Sequence, residues 1–211
     1  MIKRLLVNSR FWILAVGVVL SVTIAGFIQL LVPSGSLQII RIEQAYGFVS
    51  ILLLYAALLI SPLFKVYPTL PGKVAITHAR RAFGVLAFYY AFLHTYLTFM
   101  EQLGGIDGMQ YYNSKYVWSI ALGGFGLAVL AVMTLTSLDW VVRVMGFKYW
   151  KLLHRLVYLA GIAILVHIVL LGPHYANIGF LSTVTAIGLV LLAWIETIRF
   201  IQTFHKKRLP R

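Results

Sequence analysis

Six long stretches of the chain carry almost no charge, at roughly 11–32, 44–64, 82–100, 116–136, 152–171 and 178–200, and each is bounded by charge, proline or glycine. At about 1.5 Å per residue, each is long enough to cross a hydrocarbon layer of about 30 Å as an α-helix. The pattern predicts an all-α membrane protein, a bundle of six transmembrane helices. The first run has about 22 residues, longer than the 7–15-residue apolar core of a signal peptide, and no small-residue cleavage site follows it. VPSGS closes it as a turn, so it reads as a span. No repeat, low-complexity tract or soluble linker interrupts the pattern. Residues 1–211 are expected to form one membrane domain with short tails at 1–10 and 201–211.

Composition agrees with the pattern and narrows the chemistry. The chain is 61% hydrophobic and 11% charged, with mean hydropathy +0.91, against roughly 45–50% apolar and 25% charged in soluble domains. It contains no cysteine, which excludes disulfides, thiolate metal sites, iron–sulfur clusters and covalently attached c-type heme. Imidazole and oxygen remain as ligands.

Charge distribution sets the expected orientation. Of the 18 Lys and Arg residues, all but Arg41 and Lys115 fall in the tails and in the second and fourth loops, with Arg155 just inside the fifth span and Arg199 at the end of the sixth. Loops rich in Lys and Arg stay in the cytoplasm, so both termini are expected there. The net charge of +13 then reflects topology and attraction to anionic lipid, and no nucleic-acid motif accompanies it.

Histidines are the candidate chemistry. His94 lies in AFGVLAFYYAFLHTYLTFM, and His154 and His167 lie thirteen positions apart around LVYLAGIAILVHIVLLG. A buried polar ring without a partner costs roughly 2–7 kcal/mol, and an ionisable group within a span points to function. Counted from the charged ends of their spans, His94 and His167 both lie about 20 Å from the cytoplasmic face, and His154 lies near that face. Two imidazoles from different helices at one depth suit bis-imidazole ligation of a b-type heme. The inner level is open: His154 faces either offset His78 or Arg80, which occupies the position about 40° from the face of His94 on an ideal helix. One heme or two fit this pattern.

Blander readings stand beside these. A single intramembrane histidine can hydrogen-bond a neighbouring helix, and His154 can order Arg155 or a lipid headgroup. His174 and His205 read as loop and tail residues. Arg80, Arg81, Lys151 and Arg155 suit heme propionates or a flavin phosphate, although much of that charge serves topology. Gly84 and Gly161 would let a flat macrocycle approach, whereas Gly123, Gly124 and Gly126 read as packing positions. Tyr111, Tyr112, Tyr116 and Trp118 at one end, with Trp12, Trp140, Tyr149 and Trp150 at the other, read as interfacial anchors.

Three stretches, LLLYAALLISPL, ARRAFGVLAFYYAFLH and LTSLDWVVRVMGFKYWKLLHRLVYLAGIAILVH, resemble the ferric-reductase-like transmembrane domain family. Within it the chain looks like the heme-binding membrane subunits of methionine sulfoxide reductase systems. The resemblance implies a multi-pass protein of the bacterial inner (plasma) membrane that binds one or two heme b groups, with FMN as an optional carrier on the donor side. It implies electrons from quinol or a cytoplasmic flavin reductase, delivered to a periplasmic molybdopterin-containing reductase subunit. Carried over by position, His94 and His167 would be axial ligands and His154 an inner ligand or near-ligand. The chain departs from the wider family in having Arg80 at the inner third-span position, with His78 offset.

No GxGxxG follows a strand, so the expected role is a redox relay subunit rather than a complete enzyme. A ferric or other transmembrane reductase subunit with a different acceptor fits the same residues. A His-lined metal or proton transporter would need carboxylates at depth, and Glu196, three residues from Arg199, is the candidate this pattern offers.

Overall fold

The computed structural model describes residues 2–171 and 179–208. Helix α1 (Ile2–Leu31) is followed by α2 (Ser36–Val66) and α3 (Lys73–Leu97), which runs on into a π-turn at Thr98–Gln102. A short 3-10 turn at Asp107–Tyr111 precedes α4 (Ser114–Leu135), whose first turn is capped by the Asn113 side chain accepting from Tyr116 N–H at 3.1 Å. Two short helices, α5 (Asp139–Met145) and α6 (Phe147–Leu153), meet at Gly146, where φ is +78°; α7 (Leu156–Leu171) and α8 (Gly179–Arg208) complete the bundle.

Six helical segments are long and apolar enough to cross a membrane, as the hydropathy pattern predicts, and the protein is a multi-pass membrane protein. Its outward surfaces carry large apolar residues such as Val16, Val19, Phe27, Val166 and Val169, which suits lipid as solvent. Two boundaries differ from expectation in ways that matter. The second helix begins at Ser36 rather than 44, so Arg41 and Glu43 lie inside it and Glu43 is buried. The fifth span is not continuous, because the chain turns at 154–155 between α6 and α7, with Arg155 N–H bonded to the Leu152 carbonyl at 3.1 Å.

Packing is densest between α2 and α3 and between α4 and α7, with α8 along α2. Leu54, Leu58, Ala87, Leu130 and Ile168 form the central core. Since lipid provides little hydrophobic drive for helix association, polar contacts between helices add specificity. Ser50 donates to the Ala87 carbonyl at 2.8 Å, Tyr46 to the Ser21 carbonyl at 3.0 Å and Tyr90 to the Gly17 carbonyl at 2.7 Å. These contacts fix α1, α2 and α3 against one another, and so fix the depth of the side chains α2 and α3 carry.

Candidate functional site

His94 stands in the last turn of α3, just before the π-turn, and Thr98 of that turn donates to its carbonyl at 2.9 Å. Its Nδ1 lies 3.1 Å from the Glu43 carbonyl oxygen and 3.2 Å from Glu43 Oε1, both on α2. His167, on α7, is held in the same way by α4. Its Nδ1 is 2.7 Å from the Ser119 carbonyl oxygen and 3.0 Å from Ser119 Oγ, which also donates to the His167 carbonyl. In both rings Nδ1 faces acceptors, so Nδ1 carries the proton and Nε2 carries the lone pair. Ligand histidines are held by this device, the outer N–H on a carbonyl or carboxylate and the inner nitrogen free for metal.

The two rings come together in the bundle. Their centroids are 6.4 Å apart and their planes cross at 84°. An imidazole nitrogen sits about 2.0–2.1 Å from a bound metal, so two rings on opposite sides of one ion through Nε2 have centroids about 6 Å apart. The 6.4 Å separation is close to that spacing, so the two rings could hold a heme iron between them. Among the described residues no cluster of three or more His, Asp and Glu side chains could hold a bare metal ion; a heme needs only the two imidazoles.

Glycines make room for both rings. A Cβ at Gly47 would lie 3.0 Å from His94 Nδ1, and one at Gly123 would lie 3.0 Å from both Nδ1 and Cε1 of His167. Such contacts are too tight without moving the imidazole. Gly123 is therefore a seat for His167 rather than the packing position its neighbours suggest. Gly126, where a Cβ would meet Ile164 at 2.7 Å, is a packing position, and a Cβ at Gly84 would meet nothing within 4 Å.

The inner level is built differently. His154 ends α6 at the break in the span, its Nε2 is 3.2 Å from Thr136 Oγ1, and Trp150 lies against it with ring centroids 4.1 Å apart. Trp150 also donates to the Thr136 carbonyl at 2.9 Å and lies beneath the Arg81 guanidinium, so it is bound into this level as well as anchoring an interface. Arg80 donates to the Ala57 carbonyl at 3.0 Å and to Ser61 Oγ at 2.6 Å, and Arg80 and Arg81 are close enough to His154 to act on it electrostatically. His78 accepts from Arg10 at 3.3 Å, and Arg155 is exposed. Arg10 and Arg81 converge on Asp139 outside the spans, and the hydrogen bond from Arg81 holds that carboxyl below its usual range. His174 and the side chain of His205 lie outside the described residues.

The pattern of charge missed Glu43. Charged residues served as span boundaries, so the one carboxylate considered was Glu196, which pairs with Arg199 at 2.5 Å on the same helix as its i,i+3 spacing suggests. Glu43 is 7% exposed and pairs with His94. The available signal was its place one helical turn before Gly47, on an apolar helix.

Six apolar helices that bring imidazoles from two of them to one depth define an integral membrane protein with an internal polar site. Residues 46–165 match the family described as ferric reductase like transmembrane component, and the chain belongs to that family. The match includes His94, His154 and Gly123; His167 lies two residues beyond it. Among curated proteins the chain is similar to the protein-methionine-sulfoxide reductase heme-binding subunit MsrQ of Agrobacterium fabrum. The two are 34% identical over 128 residues, covering 61% of this chain and 57% of the relative. MsrQ of Brucella ovis and of Brucella canis are each 34% identical over 127 residues, 59% of this chain and 54% of theirs. The match thus spans somewhat more than half the length of these relatives.

Proposed function

We propose that this chain is a heme-binding electron-transfer subunit of a membrane reductase, with His94 and His167 as the axial ligands of one b-type heme. One observation carries the reading: two imidazoles from α3 and α7 lie 6.4 Å apart with both Nδ1 atoms tied to fixed acceptors. When bound, heme supplies a one-electron couple. The protein's own residues do the rest. Glu43 and Ser119 hold the tautomer and the ring planes, Gly47 and Gly123 leave room for the rings, and the apolar helices keep water away.

The finer reading follows from the relatives, whose names describe heme-binding subunits of a methionine sulfoxide reductase. The acceptor is then a periplasmic molybdopterin-containing reductase subunit, which restores methionine in oxidised envelope proteins. The donor is quinol or a cytoplasmic flavin reductase. The membrane is the bacterial inner membrane, with the Lys- and Arg-rich end in the cytoplasm, a placement supported by the charge asymmetry of the loops. At the inner level His154, Arg80, Arg81 and Arg155 suit an anionic group, a heme propionate or the phosphate of FMN.

Absorbance spectra of the detergent-purified full chain, oxidised and dithionite-reduced, test the reading. A sharp Soret band with the reduced bands of low-spin b-type heme is expected. Protein expressed with ample heme supply and lacking those bands would overturn it. Reduction by a quinol analogue with no flavoprotein present selects quinol as donor, and failure of that reaction selects the flavin route.

A further inference from the structure

Resting on His94 as a ligand, we propose that Glu43 is a positioning residue that sets the reduction potential of the outer site through His94 Nδ1, so that the two axial imidazoles are inequivalent donors. Glu43 lies in the second turn of α2 between the buried residues Ile42 and Tyr46, and is itself 7% exposed. A carboxyl group so placed among apolar side chains is costly unless something holds it. Among the described residues its side-chain partner is the imidazole of His94, with Nδ1 3.2 Å from Oε1.

Among the described residues the second ligand has no such partner: His167 Nδ1 meets the backbone carbonyl and hydroxyl of Ser119, which is fully buried. Both serines and carboxylates can fix a ring plane, so orientation alone needs no carboxylate. What the carboxylate adds is electronic. A charged acceptor draws the Nδ1 proton more strongly than a neutral one and so raises the basicity of Nε2. A more basic axial nitrogen favours the ferric state. Hydrogen bonding from outside the ligand shell is one of the levers by which a protein tunes a heme.

Glu43→Gln keeps the size and an acceptor oxygen while removing the charge. Spectroelectrochemical titration of the purified, heme-loaded full chain compares it with wild type, Glu43→Asp and Ser119→Ala at one fixed pH. For Glu43→Gln the spectrum is expected to remain low-spin. Its ferric-to-ferrous ratio at fixed ambient potential is expected to fall at least tenfold, an upward shift of about 59 mV for a one-electron couple. Glu43→Asp, with the carboxylate one methylene short, is expected to shift the same way by less, and Ser119→Ala by less than Glu43→Gln. A wild-type potential in heme-loaded Glu43→Gln overturns the inference. Should Glu43→Gln fail to load heme, Glu43→Asp decides, and a wild-type potential there overturns it equally. His94→Ala separates this from failure of ligation itself: if that variant keeps the wild-type spectrum, His94 is no ligand, whatever Glu43 does.

Discussion

The outer and inner levels of this bundle contain the same kind of side chain and use it in opposite ways. Outside, His94 and His167 are tied through Nδ1, and their ring centroids lie 6.4 Å apart. Inside, His154 is tied through Nε2 to Thr136, covered by Trp150 and surrounded by guanidinium groups. An imidazole in a span is therefore not informative by itself. The neighbouring residues take Nδ1 at the outer level and Nε2 at the inner one. On an uninterrupted helix thirteen positions also turn a side chain by about 1300°, some 140° away from its starting face. The turn at 154–155 breaks that relation and lets both histidines reach α4, at Ser119 and at Thr136.

The largest expected effect separates the two levels outright. His94→Ala and His167→Ala should each lower the heme bound per chain, measured as the pyridine hemochrome, to below about a tenth of wild type, within the 10–100-fold range or more that ligand-shell changes command. His154→Ala should retain most of it. Equal loss in all three would erase the distinction between the levels.

Smaller effects sharpen the outer level. Gly123→Val and Gly47→Val push a side chain into the imidazoles, since a Cβ alone would lie 3.0 Å from each ring. Each should reduce heme retention several-fold after detergent washing, whereas Gly124→Ala, where nothing lies within 4 Å, should leave it unchanged. Ser119→Ala removes one hydrogen bond to His167 and leaves the Ser119 carbonyl in place. A loss of about 0.5–1.5 kcal/mol, a few-fold in heme affinity, is expected, and Thr136→Ala should show none.

The smallest effect belongs to the basic end. Arg81 depresses the Asp139 carboxyl, so the contribution of this link is full above the ordinary carboxylate value of about 3.9 and fades as pH falls through the lower folded value. Asp139 is 65% exposed, which limits the contribution to about 0.2–1 kcal/mol. Melting curves of wild type and Asp139→Asn should differ slightly at neutral pH and converge as pH falls below the lowered folded value.

Much of this was legible in the chain. Long uncharged runs reported the six spans, because in lipid the backbone must satisfy itself as helix and the side chains must be apolar. Counting residues from the charged loops put His94 and His167 at one depth, and their rings do meet. The rest depended on neighbours that sequence spacing cannot pair. Glu43 looked like a boundary because it is charged, yet an internal partner allows it to lie inside a helix. Gly123 looked like packing because it stands among other small residues, and only the approach of α7 shows that it seats His167. Trp150 has the composition of an interfacial anchor, and only the approach of Thr136 and Arg81 shows that it is bound into the inner level.

Electron paramagnetic resonance of the ferric, heme-loaded chain tests the central claim most directly, because the low-spin signal depends on how the axial ring planes are set. Rings crossed at 84° should give a strongly anisotropic low-spin signal that disappears in both His94→Ala and His167→Ala and persists in His154→Ala. A bis-imidazole signal that survives loss of either His94 or His167 would contradict the account.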